Sequence, residues 1–446
     1  MENKSNLKRE LGLVAATSIV VGNMIGSGIF TSPQSLAQVA SPKITVLAWI
    51  ITGIGSLLIA LSFANLGTKY PSTGGPIVYT HKAFGEFMAF LVSWTFWIGS
   101  WIGNAAIITA VIRYLTTFFP QLGESGVLAF LVSSALLWLF TYVNYKGVKN
   151  GGYVSIVTTA IKIGVILVFM VIAVYGFDAS NLKTAVTVEA NSWGALPAAI
   201  AITLWSFVGL ESAAVSGGEI KNPEKNIKRS TVIGTALAVL IYIFLCVLAM
   251  GSMPQSMLAN AQAPLADIIN YITGSTWGGL FVSGGIAISA IGTLSGWVLT
   301  TARLAYAAGE DDLFPKFFAK VHPKYNTPCV ALIITSICTN ALLILNYVSN
   351  LTEAFDFMIN LATLSFIPAY ALTACAEIIL TFKKQHKITL LGFLKHSFLS
   401  LLAFAYALYT IYGVGADSAM WVFILLLIGV PLYVYKKLQD REITEQ

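Results

Sequence analysis

Apolar runs long enough to cross a bilayer recur about twelve times along the chain, near residues 11–36, 44–68, 85–117, 125–145, 153–176, 194–217, 231–251, 276–302, 328–347, 355–380, 391–413 and 419–435. About 20 apolar residues at 1.5 Å each span the roughly 30 Å of bilayer hydrocarbon, so each run predicts a transmembrane helix. The polar stretches between runs are short and leave no room for a separate soluble domain. The pattern predicts an all-α integral membrane protein of about twelve helices forming one domain over residues 1–446, with 1–10 and 436–446 as polar tails.

Two of the runs carry glycine-rich interruptions. The first contains Gly22-Asn23-Met24-Ile25-Gly26-Ser27-Gly28, and the sixth contains Trp205-Ser206-Phe207-Val208-Gly209. A helix in hydrocarbon can break only where other groups replace its lost backbone hydrogen bonds. In secondary transporters a substrate or coupling ion does so, and breaks at corresponding places in two halves of a chain point to the binding site. The expected activity is therefore transport, with the substrate held between the two breaks.

Apolar residues make up 57% of the 446 and charged residues 10%, against about 45–50% and 25% in soluble domains, which excludes a water-soluble fold. Threading the helices alternately with the N-terminus inside places 22 of the 26 Lys and Arg on the cytoplasmic side. Lys43, Arg113 and Lys183 fall outside and Lys162 falls within the membrane. That is the positive-inside asymmetry, and a miscounted helix would destroy it. The net charge of +6 follows from this topology and gives no reason to expect nucleic acid as a partner. The apolar segment after the polar N-terminus is too long for a signal peptide, so it is expected to be retained. Cys246, Cys329, Cys338 and Cys375 lie within or at the ends of apolar runs without metal-like spacing, which favours packed thiols over disulfides. His81, His322, His386 and His396 are assigned to cytoplasmic loops. With no metal-ligand cluster, catalytic triad or phosphate loop in the sequence, neither a cofactor nor an enzymatic activity is expected.

At the first break Gly22, Gly26, Ser27 and Gly28 let the backbone unwind and a ligand approach it closely. The start of the resumed half-helix suits an anionic group such as an α-carboxylate. The same small residues also fit a helix-packing motif. Glu211 follows the second break, and an intramembrane carboxyl usually faces a cavity and serves as a proton site or cation partner. The bland alternative is a permanently protonated group that only bonds nearby backbone. Lys162 lies about 14 Å into the fifth run at 1.5 Å per residue, close to the midplane. It is read as a fixed ammonium held by carbonyls or hydroxyls of an interrupted helix, in the place of a sodium ion, with a titrating proton carrier and a snorkelling Lys as alternatives. Trp205 and Trp297 stand beside small residues, where an indole face can hold a cation or simply pack.

Taken together, the motifs resemble one family. The two breaks, Trp101-Ile102-Gly103-Asn104, Leu210-Glu211-Ser212, Lys221-Asn222-Pro223 and Ser295-Gly296-Trp297 are similar to the arginine/agmatine antiporter-like members of the basic amino acid/polyamine antiporter family, in the amino acid-polyamine-organocation (APC) superfamily. The similarity runs from about residue 10 to 435, and Asp312-Leu313-Phe314-Pro315 continues it. The resemblance implies a LeuT-type fold in which residues 11–380 form a 5+5 inverted repeat with helices 1 and 6 broken, and 391–435 add two helices. It implies that Asn23, Met24, Gly26, Ser27 and Gly28 receive the α-carboxylate and α-amino groups, and that Trp205, Ser206 and Val208 belong to the second break. Gly99, Ser100 and Asn104 would meet the distal end of the side chain, and Trp297 would stack on it. Trp205 and Phe96 would gate the site, and Glu211 would be the proton-coupling residue. Phe96 stands where the arginine antiporter has a tyrosine, and Leu361 and Ala369 replace polar residues of its tenth helix. Lys162 replaces an apolar residue, as in serine/threonine and heteromeric-type exchangers.

The implied function is exchange of an amino acid, cationic in first place, for a related amino acid or its decarboxylated amine, in the cell inner membrane with both termini cytoplasmic. A neutral amino acid exchanger and a proton-coupled importer are the alternatives. A membrane receptor is a third, less supported because no signalling domain is appended. The partners expected are the amino acid or amine and membrane lipid, and both a monomer and a homodimer fit the sequence.

Overall fold

The computed structural model describes residues 9–147, 151–183, 185–187, 189–383 and 389–444. The first apolar run is divided between α1 (Leu13–Met24) and α2 (Ser27–Val39). There follow α3 (Pro42–Lys69), α4 (Pro76–Phe84), α5 (Glu86–Leu115), α6 (Gln121–Glu124), α7 (Gly126–Lys146) and α8 (Gly151–Tyr175). The sixth run is divided between α9 (Leu196–Trp205) and α10 (Ser212–Val215). After it come α11 (Pro223–Ser252), α12 (Gln255–Leu258), α13 (Pro264–Thr273), α14 (Thr276–Glu310), α15 (Cys329–Leu342), α16 (Leu345–Val348), α17 (Leu351–Phe382), α18 (Leu390–Val414) and α19 (Ala416–Thr444). Among the described residues the β pairings are isolated bridges, Leu11 with Ile220 and Thr73 with Ser216.

Ten helical segments among the described residues are long and apolar enough to cross a membrane, α1 and α2 counting as one, and Trp193–Trp205 and α15 are shorter apolar helices. These pieces coincide with the apolar runs of the sequence. Local chemistry starts several of them: Pro42 opens α3 behind Ser41, and Asn350 Oδ1 caps α17 by accepting from Glu353 N at 2.9 Å. Both devices satisfy or avoid the orphan donors of a first turn.

α5 is the centre of the molecule and α19 its rim: 94% of the most apolar window of α5 is buried, against 6% for α19. Residues Ser93, Ser100 and Thr109 are tolerated inside α5 because their hydroxyls donate to Ala89 O, Phe96 O and Ala105 O at 2.7, 2.7 and 3.0 Å, which satisfies them within their own helix. α5 packs against α14 and α17, α3 against α11, and α1 against α8 and α11.

The structure corrects several expectations. α4 and α13 fall between the apolar runs and were not foreseen, being too short to span. α13 buries Leu265, Ala266, Ile268 and Ile269 on one side, an amphipathic pattern. α14 continues past residue 302 to Glu310, so Arg303 lies on a helix. Arg113, which the topology assigns to the outer side of the membrane, is 1% exposed, a burial that the assignment neither required nor excluded. Its Nη2 donates to Gln34 Oε1 at 3.0 Å, its Nε to Gln262 O at 3.1 Å, and its guanidinium sits 5.4 Å from the Phe355 ring centre. His81 is on α4 and His396 on α18; among the described residues only His322 is in a loop, where Nδ1 accepts from Lys324 N and Tyr325 N. His386 lies outside the described residues. All four cysteines are free.

Candidate functional site

Between α1 and α2 lie only Ile25 and Gly26. Ile25 N still donates to Val21 O at 2.8 Å, and Gly26 N turns back to Met24 O at 2.8 Å. No side chain caps α2, so its first N–H groups and the positive end of its dipole face the gap. Gly28, in that first turn, lies directly against the second break: a Cβ there would stand 2.8 Å from Trp205 Cδ1 and 2.9 Å from Ser206 Oγ. Any side chain larger than hydrogen would push the two broken helices apart.

Residues 206–211 wind differently. Ser206, Phe207, Val208 and Leu210 each donate three residues back, at 3.1, 2.9, 3.2 and 3.2 Å, the tighter 3₁₀ pattern. Gly209 has φ +114° and its position would bring a Cβ to 2.9 Å from the Asn23 carbonyl carbon, so two separate constraints require glycine. Gly209 N donates to Glu211 Oε2 at 3.2 Å, and the same oxygen accepts from Tyr370 OH at 3.0 Å. Glu211 is 1% exposed, and its Oε1 is buried without a partner. The breaks are also tied to each other, Asn23 Nδ2 donating to Ser212 Oγ at 2.9 Å, while Trp297 Nε1 donates to Asn23 O at 3.5 Å.

These elements line a partly open cavity whose atom-free space, open solvent included, is about 340 Å³. Asn23, Met24, Gly26, Ser27, Gly28, Ser100, Trp205, Val208 and Trp297 line it. Ser27 Oγ is buried there without a partner. Gly99, Asn104, Ser206 and Phe96 do not reach the lining. Gly99 faces α17, where a Cβ would stand 3.0 Å from Ser365 Cβ and 3.2 Å from Ala362 O. Asn104 Nδ2 donates to Thr301 Oγ1 at 3.2 Å, and Ser206 O accepts from Tyr242 OH at 2.9 Å. Phe96 packs edge-on to Phe366, ring centres 5.0 Å apart, and Phe366 is the ring that reaches the cavity. Gly103, Ile107, Thr293 and Phe366 complete the wall and were missed. Gly103 and Ile107 follow Ser100 at i+3 and i+7, so the helical face of Ser100 carried a signal for both. Thr293 and Phe366 carry no local signal, since they arrive from distant helices.

Lys162 lies beside the first break, 1% exposed, and its Nζ donates to Gly22 O and to Thr293 Oγ1, both at 2.5 Å. In an unbroken helix Gly22 O would accept from Gly26 N, which here turns to Met24 O. Lys162 thus replaces the donor that the break removes. Thr293 Oγ1 donates in turn to Ser289 O at 3.2 Å, so one ammonium joins α1, α8 and α14. The cavity itself offers an uncapped helix start for an anion, free hydroxyl capacity on Ser27, and two indoles for a cation or an apolar chain.

A sequence model of the amino acid permease family matches residues 11–433. The chain belongs to the amino acid permease family. This permease is 30% identical over 450 residues to a protein of Chlamydia abortus (strain DSM 27085 / S26/3) named an arginine/agmatine antiporter, covering 97% of the present chain and 91% of that protein. It is 28% identical over 456 residues to the arginine/agmatine antiporter of Chlamydia felis (strain Fe/C-56), with the same coverage. A Bacillus subtilis (strain 168) protein, named provisionally as an arginine/ornithine antiporter, is 31% identical over 456 residues, covering 96% of each chain. Family and apolar helices together make the permease an all-α, multi-pass membrane transporter.

Proposed function

We propose that this permease is an amino acid exchanger that takes up an amino acid, a cationic one such as arginine in first place, against a related amino acid or its decarboxylated amine. The observation that carries the reading is the cavity between two interrupted helices, with an uncapped helix start on one side and Trp205 and Trp297 on the other. The antiporter names borne by relatives across nearly the whole chain support exchange. In the proposed cycle a ligand bridges the breaks and the surrounding helices rock between two access states. The α-carboxylate meets the start of α2 and Ser27, Trp297 stacks on the side chain, and Trp205 closes over it. Phe96 acts on the gate through Phe366, Glu211 couples the cycle to protons, and Lys162 is a structural cation.

The same reading treats residues 1–446 as one transmembrane domain, with a LeuT-type inverted repeat over 11–380 and two further helices over 391–435. It places the permease in the cell inner membrane with both termini cytoplasmic, which the distribution of 22 of 26 Lys and Arg supports. Counterflow tests the exchange. Vesicles preloaded with arginine or agmatine are expected to take up labelled arginine far faster than empty ones, and equal rates would overturn antiport in favour of proton-coupled import. A neutral amino acid is the second reading, favoured because no acidic side chain lines the cavity.

A further inference from the structure

We infer that the permease holds a second substrate subsite on the path from the central cavity, where an amino acid's carboxylate and ammonium exchange into the Glu219–Arg303 ion pair. The inference rests on the central cavity being an amino acid site. A partly open chamber, with about 310 Å³ of atom-free space when open solvent is included, is lined by Thr73, Ser216, Glu219, Thr300, Arg303 and Leu304 among others. It has no lining residue in common with the central cavity, but α14 and the second broken segment contribute to both. On α14, Trp297 lines the upper space, and Thr300 and Leu304 line the lower one at i+3 and i+7, on the same helical face. On the second broken segment Val208 belongs to the upper space and Ser216 to the lower. Arg303 follows Trp297 by six residues, about 9 Å along the helix. A ligand leaving the central cavity along these walls meets the ion pair next.

The chemistry suits a zwitterion. Arg303 Nη1 lies 3.3 Å from Glu219 Oε1, with side-chain exposures of 42% and 20%. A pair this exposed is weakly held, so a ligand can compete for both partners. The guanidinium fork matches a carboxylate, and the Glu219 carboxylate accepts from an ammonium. Thr73 Oγ1, on the chamber wall, is buried without a hydrogen-bond partner, and a latch made of the ion pair alone leaves that hydroxyl and the chamber unexplained. Glu219 is positioned independently of Arg303: its carbonyl accepts from Glu10 N and Leu11 N, both at 3.0 Å, and Lys221 N donates to Leu11 O at 2.8 Å. Gly74 N, donating to Val215 O at 3.1 Å, holds the neighbouring wall. The Glu219 backbone is therefore anchored whether or not the pair is made, and its carboxylate remains within side-chain reach of the chamber when the pair opens. An amino acid satisfies both charges, whereas its decarboxylated amine satisfies Glu219 only and leaves Arg303 unpaired.

The test is Arg303→Gln in sealed vesicles of both orientations, with the counterflow KM measured from each face for arginine and for agmatine. On the face that carries most of the Lys and Arg, the KM for arginine relative to the opposite face is expected to rise about tenfold, equivalent to about 1.4 kcal/mol. The same ratio for agmatine is expected to stay where it was. Arg303→Lys, which keeps the charge without the fork, should give a smaller rise that is again confined to arginine, and it serves if Arg303→Gln fails to assemble. Ratios that move together for both probes, or that do not move at all, overturn the subsite and leave the pair as a simple latch. A parent protein that exchanges neither probe overturns the cationic reading, and the same ratios are then measured with a neutral amino acid and its decarboxylated amine. A parent that exchanges both while the ratios stay put overturns the subsite alone.

Discussion

At the first break the helix stops within two residues, Ile25 and Gly26, and resumes at Ser27 without a side-chain cap; at the second the chain takes 206–211 to cross and keeps most of its backbone bonded as three-residue turns. At the first break the acceptor set free, Gly22 O, is bonded to Lys162, while the donors at the start of α2 stay free for a ligand. The second break exposes less backbone and adds a carboxyl instead, Glu211, bonded to Gly209 N and Tyr370 OH. An abrupt break thus makes an electrostatic receptor, because orphan donors and the helix dipole act together. A gradual one makes a shaped and strained support that carries a titratable group.

The largest expected effect separates the two breaks by their glycines. Gly209→Ala has to place a Cβ at φ +114° and 2.9 Å from the Asn23 carbonyl carbon, which should cost about 3 kcal/mol in strain and abolish exchange. Gly26→Ala meets only Thr293 Cγ2 at 3.3 Å and Asn23 O at 3.7 Å, and Gly26 has φ −112°. It should keep measurable counterflow and a melting temperature near that of the parent. If Gly26→Ala proves the more damaging, the first break is the more constrained of the two.

Next in size is Lys162→Ala, which leaves Gly22 O and the Thr293 hydroxyl without their cationic donor. Hydrogen bonds to charged groups are worth about 1.5–3 kcal/mol each, so a loss of about 3 kcal/mol and much slower turnover are expected, with transport by the parent indifferent to sodium. Full activity in the variant, or a sodium requirement in the parent, removes Lys162 as the tether of the first break.

Trp297→Leu sharpens the question of what the cavity holds. It keeps an apolar wall and removes the ring quadrupole, worth about 2 kcal/mol to a desolvated cation, or roughly 30-fold in affinity. Binding of arginine, lysine or ornithine should weaken by that factor while small neutral amino acids are spared. Equal losses for both classes would point to a neutral exchanger. The smallest effect on binding belongs to Glu211→Gln, because the amide oxygen still accepts from Tyr370 OH and Gly209 N. The variant should bind substrate yet lose most of the pH dependence of exchange, and a normal rate with an unchanged pH profile removes Glu211 from coupling.

Much of the architecture was legible because it is written locally. A run of apolar residues, a cluster of glycines and a Lys in the middle of a span announce themselves without knowledge of neighbours. Interhelical contacts do not. Nothing in the sequence around Asn104 shows that its side chain is engaged by Thr301, or that Phe366 and not Phe96 reaches the cavity. The rotation of α5 about its axis, set by packing on α14 and α17, decides such matters. Arg113 makes the same point, since charge and topology assign it a side of the membrane but not the partners Gln34, the Gln262 carbonyl and the Phe355 ring that enclose it. α4 and α13 escaped because helices of 9 and 10 residues produce no spanning signal.

The sequence by itself determined the membrane class, the position of each run, both breaks and the presence of an intramembrane Lys and Glu, because hydropathy, glycine content and the cost of burying charge act over a few adjacent residues. Only the tertiary structure decided which face of each helix meets the cavity and that Lys162 supplies the donor the first break lost. It alone set Gly28 against Trp205 and brought Glu219 and Arg303 together, since each of these joins residues more than 80 positions apart and follows from how the helices pack.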